Sequence, residues 1–319
     1  MKKFPSLNQF RNIIRDVKTQ HDYKGKDEQG NPIYLHDSPY PTLKFQGTVK
    51  AHGTNASIVK YKDRIEFQSR ERVISVGSDN MGFATNYYGK DLSSLFDRFE
   101  FNDYVVIYGE WCCGNIQKGV ALTQIPEKKF IIFKVKVDDV WVDFDETLKD
   151  ESLSIYNILQ FPTYEIDIDF NSPELSQNKL IEMTLAVEEE CPIGKYFGVS
   201  GVGEGLVLTA IDRPYLIFKS KGEKHSVSKV KKLNSVDVEQ IEDINKFVEY
   251  AVTENRLKQG LENVELDIKN TGSFIKWVAN DVLKEETDVL VENGLEWKQV
   301  APKVNLKAKE FFINATKNI

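Results

Sequence analysis

The sequence predicts an α+β protein: antiparallel sheets with flanking helices over residues 1–234, then a small all-α domain over residues 235–319. Three observations carry that expectation. A length of 319 residues allows one large and one small domain. Strand-like segments, β-branched and aromatic with partial alternation, recur between residues 43 and 221. After about residue 234 no such segment persists, and apolar residues recur at 3–4 spacing instead.

Each element follows from its pattern. Ser6 to Asp16 carries Leu7, Phe10, Ile13 and Ile14 at helical spacing behind a serine, which predicts a short capped helix. Residues 19–42 are polar, contain Pro32 and Pro41, and read as a long loop or hairpin. LKFQGTVK, TNASIVKY and RIEFQSR read as strands, and residues 80–100 as helical. DYVVIYGEW, FIIFKVKV and VWVDF return to strands. Residues 174–190 form a helix stopped by Cys191-Pro192. EGLVLTA and YLIFKSK pair across the turn Asp212-Arg213-Pro214. Beyond residue 234, VEQIEDINKFVEYAVTENRLK, NTGSFIKWVANDVLKEE and NLKAKEFFINAT supply three or four helices, enough for a core of their own.

Composition narrows the function classes. With 41% hydrophobic and 29% charged residues, the chain is not collagen, a disordered polymer or a disulfide scaffold. No run of eighteen apolar residues occurs, so no membrane partner is expected. The opening MKKFPSLNQF lacks the apolar core of a secretory leader. Three cysteines without a CxxC pair point to a reducing, cytoplasmic setting. The four histidines show no metal-ligand spacing, so no protein-held metal site is expected.

The net charge of −7 argues against a basic nucleic-acid coat. Partitioned, most of the excess falls in residues 235–319, with 16 acidic and 11 basic residues. Residues 219–232 instead hold six lysines and one glutamate. A lysine run is ordinarily a solvated face. Here Lys219 and Lys221 end an apolar strand and share one side of it, a suitable grip for phosphate.

Several motif candidates fail. Gly201-Val-Gly203-Glu-Gly205 lacks dinucleotide-loop spacing, and no Walker A sequence exists. One constellation remains: Lys50-Ala51-His52-Gly53-Thr54-Asn55 lies between two strands. A lysine at a strand end can be a nucleophile if it is deprotonated, and nearby cations such as Lys219, Lys221 and Arg70 favour the neutral amine. By itself the segment reads sooner as a surface lysine beside a tight turn.

Other segments give it company. Lys50-x-His52-Gly53-Thr54-Asn55 resembles motif I of the covalent nucleotidyltransferases, in the form seen in the RNA ligase 2 family of phage nick-sealing and RNA-editing ligases. Phe67-Gln68-Ser69-Arg70 resembles motif Ia, and Tyr108-Gly109-Glu110-Trp111 resembles motif III. Phe130-Ile131-Ile132-Phe133, Glu204-Gly205-Leu206-Val207-Leu208 and Lys219-Ser220-Lys221 are similar to motifs IIIa, IV and V, in the family's order. Even KKFPSLNQF is similar to the family's first helix, so the resemblance spans the larger domain.

The resemblance implies an ATP-grasp-like nucleotidyltransferase domain and an ATP-dependent RNA ligase joining 3′-OH and 5′-phosphate ends through lysyl-AMP. It makes Lys50 the nucleophile and His52 a helper at the phosphate. Arg70 would grip the nucleotide or 5′-phosphate, Glu110 the ribose hydroxyls, and Asn55 a ribose or 3′-OH end. Phe133 would stack on adenine, Glu204 would assist metal-bound water, and Lys219 and Lys221 would steady the α-phosphate. Each has a plain alternative: a core histidine or phenylalanine, a turn-holding asparagine, a surface ion pair, a solvated strand-end carboxylate. Mg²⁺ is expected, held mainly by phosphates and water. The partner would be RNA, best as a nicked duplex, met by a monomer in the cytoplasm (the host's, if the chain is phage-encoded).

The chain also departs from that pattern. Thr209 stands where the family commonly has lysine, and Lys134 where it commonly has aspartate. Cys112-Cys113 replaces a small-residue run, and both cysteines read as packing residues. A DNA ligase or capping-type enzyme shares the lysine chemistry but usually continues into an OB-fold, which the helical tail argues against. A non-catalytic nucleic-acid-binding module is the third reading, and retention of Lys50, Arg70, Glu110, Glu204, Lys219 and Lys221 together weighs against it.

Overall fold

The computed structural model describes residues 1–222 and 244–317. The chain divides into two compact units, Met1–Gly222 and Glu223–Ile319.

The first unit opens with α1 (Phe10–Asp22), which follows Gln9 and not the expected serine cap. Ser6 is otherwise engaged, its Oγ accepting a hydrogen bond from Arg70 Nη2 at 3.0 Å. The helix runs on to Asp22 because Val17 extends the apolar stripe begun at Ile13, and both side chains are fully buried. The polar stretch that follows folds as a small hairpin, β1 (Tyr23–Lys26) against β2 (Pro32–Tyr34), with Tyr23 opposite Tyr34.

Two larger sheets follow. The strands are β3 (Thr42–Val49), β4 (Gly53–Tyr61), β5 (Ile65–Ser69), β6 (Val73–Ile74), β7 (Tyr104–Cys112) and β8 (Lys129–Val137). They continue with β9 (Val140–Val142), β10 (Ile155–Asn157), β11 (Thr163–Asp169), β12 (Gly205–Ala210) and β13 (Ile217–Lys221). One sheet of seven strands has the order β10-β8-β7-β4-β5-β6, with β9 also on β8. The other, of four, has the order β11-β3-β12-β13. The pairings are antiparallel except that of β10 with β8.

Residues 80–100 form two short helices, α2 (Phe83–Tyr87) and α3 (Ser93–Phe96), and not one. Glycines in the left-handed region, Gly82 before α2 and Gly89 after it, break the run. The longer α4 (Pro173–Glu189) begins on proline as the sequence requires, and α5 (Pro192–Tyr196) follows at once.

Alternation fixes which faces are buried. In the smaller sheet Leu43, Phe45, Val49, Leu206, Leu208 and Phe218 share a core with Ile13 and Val17 of α1 and Leu180 and Val187 of α4. In the larger sheet Ile58, Val105, Ile107, Trp111 and Phe130 pack against Phe83, Tyr87, Leu95 and Phe96. Each such side chain contributes about 1.5–3 kcal/mol by leaving water. Trp111 also satisfies its indole N–H on the Met81 carbonyl at 3.0 Å. Cys112, Cys113 and Cys191 are free thiols buried in this packing.

In the second unit, the described residues form α6 (Ile244–Ala251), α7 (Glu254–Asn263), α8 (Thr271–Glu292) and α9 (Trp297–Lys317). Phe247, Phe274, Val278, Val304 and Phe312 make a separate core. Arg256 is fully buried there, donating to Asp281 at 2.8 Å, to Glu286 at 3.1 Å and to the Ala251 carbonyl. Among the described residues no helix is long and apolar enough to cross a membrane.

Candidate active site

The chain crosses from one sheet to the other at the lysine motif. β3 ends at Val49 in the four-stranded sheet, and β4 begins at Gly53 in the seven-stranded sheet. Lys50, Ala51 and His52 make the link. The Lys50 N–H donates to the Gly205 carbonyl at 2.8 Å, carrying the β3–β12 ladder one residue further. Gly205 in turn lies opposite Lys221, and Val207 opposite Lys219. Positions two apart on a strand share a face, so Lys50, Lys219 and Lys221 project to the same side.

Glu204, immediately before β12, is the centre of this group. Its carboxylate is 3% exposed. Lys50 Nζ donates to Oε2 at 2.6 Å, His52 Nδ1 lies 2.9 Å from the same oxygen, and Lys221 Nζ is 3.0 Å from Oε1. Burial alone raises a carboxyl pKa. Here the Lys50 and Lys221 charges and the His52 hydrogen bond outweigh it and hold Glu204 well below the usual range. The direct hydrogen-bond partner of Lys50 is therefore an anion, Glu204, with the cation Lys221 on its other oxygen. Gly205 has φ +141°, and a Cβ there would stand 2.1 Å from the Ser220 carbonyl oxygen. Only glycine lets β12 run this close to β13 and seat Glu204.

The seven-stranded sheet supplies the opposite wall. Asn55 on β4 pairs with Glu110 on β7, so their side chains share a face, and Ile131 of β8 is next in the row. Gly53 lies opposite Cys112. A Cβ on Gly53 would stand 2.3 Å from the Trp111 carbonyl oxygen, so a glycine is required, and its N–H is left to bond Glu110. Glu110 is half-buried. Burial lifts its pKa to about 7, with Lys50 and His52 opposing and the Glu204 charge adding to the rise.

Phe133, two positions beyond Ile131, shares that face and lies at an irregularity in the ladder. Tyr108 pairs with Lys134 and Gly109 with Ile132, which leaves Phe133 as an extra residue in β8. It packs among Tyr108 and Trp141, with Phe4 edge-on at 5.0 Å. Lys134, next to it, is half-buried, and burial pushes its ammonium pKa down against the charge of Asp143. Strand alternation by itself puts Phe133 on the opposite side from Phe130 and Ile132, and the bulge changes the facing only of the residues after it.

Arg70 falls differently from the rest. It follows β5 at the rim, bonded to Ser6 and 3.8 Å from Glu71, and its side chain is 38% exposed. The structure thus gathers Lys50, His52, Glu204 and Lys221 by contact, aligns Lys219, Asn55 and Glu110 by register, and ties Arg70 to the N-terminal segment. Beyond Gly222, the basic run's Lys224, Lys229, Lys231 and Lys232 lie outside the described residues.

Histidines that the linear spacing leaves apart come together in space: His21 and His36 converge on Asp22, a group that could hold a metal ion. Linear spacing missed this because the β1–β2 hairpin folds residue 36 back onto the end of α1.

A sequence model of the RNA ligase family matches residues 43–231, more than half of the chain. The chain belongs to the RNA ligase family. No curated protein matches it. Among solved structures it is similar to a Naegleria gruberi RNA ligase mutant with ATP and Mn, at 15% identity and a TM-score of 0.47. It is similar also to the Naegleria gruberi RNA ligase with PPi, at 16% identity and a TM-score of 0.45. In both cases the match covers 70% of this chain and 56% of the longer one.

Proposed function

We propose that this chain is an ATP-dependent RNA ligase that seals 3′-OH/5′-phosphate breaks, best in nicked duplex RNA, with Lys50 as the nucleophile. The observation that carries the reading is Glu204, one buried carboxylate holding Lys50, His52 and Lys221 within 3.0 Å at the crossover between two sheets. A site with so much positive charge around one anion is built to exchange that anion for phosphate oxygens.

Three balanced transfers follow. The Lys50 amine, having given its proton to solvent, attacks the α-phosphorus of ATP; the N–P bond forms with release of a second proton, the bond to the β-phosphate oxygen breaks, and pyrophosphate leaves with that proton. An oxygen of the RNA 5′-phosphate then attacks the same phosphorus, breaking the N–P bond and returning the lysine. Finally the 3′-hydroxyl, losing its proton, attacks the activated 5′-phosphorus and AMP leaves. Entering phosphates would take over Lys221 and His52, so that Lys50 is released from Glu204 facing its target. Lys219, on the same face, would hold the α-phosphate. Glu110 and Asn55, paired across β7 and β4, suit the ribose hydroxyls, and Phe133 the base. The donor set fits Mg²⁺: an ionised Glu204 beside a triphosphate would hold it through water, and the ion would supply charge neutralisation.

Incubation with Mg²⁺ and α-labelled ATP is expected to leave label on the protein, and Lys50→Ala to abolish it. Label on the Lys50→Ala protein would refute the site. Labelling from GTP would instead favour a capping-type enzyme. Nicked duplex RNA should be sealed faster than the same nick in DNA, and equal rates would refute the RNA preference.

A further inference from the structure

A second cluster of ligating side chains lies on elements that carry none of the nucleotide-site residues. His21 and Asp22 end α1, and His36 follows β2. His21 Nδ1 and His36 Nδ1 each lie 3.1 Å from the same oxygen, Asp22 Oδ1. One ligand atom from each of the three residues falls within 4.8 Å of the others.

The hydrogen bonds around the cluster set its chemistry. Ser38 Oγ donates to Asp37 Oδ1 at 3.3 Å and lies 3.3 Å from His21 Nε2. Two imidazole nitrogens, His21 Nδ1 and His36 Nδ1, thus converge on one carboxylate oxygen, Asp22 Oδ1. The other Asp22 oxygen accepts from the Tyr40 hydroxyl at 3.0 Å. Tyr40 also stacks on the His36 ring, with centroids 4.4 Å apart. Ligating histidines and carboxylates are commonly oriented by outer partners of this kind. Tetrahedral ligands about 2.0–2.1 Å from a zinc-class ion stand about 3.3 Å apart, close to the spacing of both histidines from Asp22. A solvent-open cavity lined by Gln20, His21, Pro39, Pro41 and Arg213 adjoins His21 and gives an entry path.

We propose that His21, Asp22 and His36 bind one divalent transition-metal ion of the zinc class, which clips the β1–β2 hairpin and the loop after it to the end of α1. Two imidazoles and one carboxylate select Zn²⁺, Co²⁺ or Ni²⁺ over Mg²⁺, which prefers all-oxygen sites. The fourth position is left to water. The ion is structural: it joins residue 36 to residues 21 and 22 and closes the hairpin between them.

Co²⁺ titration of the full chain without nucleotide tests this. The expected result is one equivalent of Co²⁺ giving visible d–d absorption of a tetrahedral site, displaced by one equivalent of Zn²⁺. Zn²⁺ should also raise the thermal midpoint by several degrees, as binding to the folded state requires. His36→Gln, changing a half-exposed side chain, should weaken Co²⁺ binding at least tenfold and remove the Zn²⁺ shift, while melting like the parent protein in EDTA. His21→Ala/His36→Ala should abolish the spectrum. If that double variant, folded by circular dichroism, binds Co²⁺ as the parent does, or if the parent binds none, the proposal is overturned and the cluster is an imidazolium–carboxylate pair.

Discussion

Replacing Glu204 with glutamine removes one charge and keeps the shape, so its consequences can be worked from the geometry. Glu204 is 3% exposed and is the shared counter-ion of Lys50 and Lys221, with His52 bonded to it. Removing one partner of a fully buried ion pair costs about 3–5 kcal/mol, chiefly because the other charge stays buried and unpaired. Lys50 and Lys221 retain 19% and 22% exposure and can draw water, which lowers the expected loss to about 2–3 kcal/mol. For a unit of this size that is a fall in thermal midpoint of about 4–12 °C. The pH dependence has a definite sign. The folded-state pKa of Glu204 is depressed, so its stabilisation is present above its ordinary value of 4.5 and is lost as pH falls through the lower folded value. The midpoints of Glu204→Gln and the parent should therefore differ fully at pH 7, still differ at pH 5, and converge in stronger acid. Differential scanning calorimetry across this range is the assay. A variant that melts with the parent at pH 7, or a gap that does not close in acid, would refute the charge cluster as a source of stability.

Glu110 should behave in the opposite sense. Its pKa is raised from 4.5 to about 7, so its contribution is complete below 4.5 and lost as pH rises through 7. Glu110→Gln should then melt with the parent in acid and above it at pH 8, by up to about 3 kcal/mol, while auto-adenylylation falls; equal midpoints at pH 8 would argue against the raised pKa. Gly53→Ala places a Cβ against the Trp111 carbonyl and the Cys112 backbone, which cannot move aside. It should cost about 3 kcal/mol in urea unfolding and abolish adenylyl labelling, and a fully stable, active variant would show that β4 can withdraw from β7. Removing residues 235–319 should spare auto-adenylylation and impair sealing of nicked RNA, and normal sealing would remove the helical unit from end binding.

Much of the larger unit was legible in the chain because its central strands are runs of β-branched and aromatic residues, and because β3 alternates strictly enough to name its buried face. β3 buries Leu43, Phe45 and Val49 at every second or fourth position, as written. The helical unit was legible for the same reason at the other period. What failed were places where a side chain from far along the chain competes with a local rule. Ser6 bonds Arg70 and not the start of α1. Gly82 and Gly89 divide a stretch that composition made look like one helix. The ordered motifs named Lys50, His52, Glu110, Glu204, Lys219 and Lys221 one by one, but no spacing could show that Glu204, 154 positions away from Lys50, is its hydrogen-bond partner.

The sequence by itself therefore determined the fold class, the family and many of the strands and helices, and named the candidate charged groups, since these depend on local periodicity and on short strings of residues. β10 and β11 were not legible in it. The tertiary structure alone decided how the charges are paired. Strand order places β12 between β3 and β13, and that order brings the Glu204 carboxylate to the amines of Lys50 and Lys221. The hairpin turns residue 36 back to residues 21 and 22, joining histidines that look unrelated in the chain. Electrostatic energy falls with distance in space and is indifferent to separation along the backbone, so it becomes readable only once the sheets are assembled.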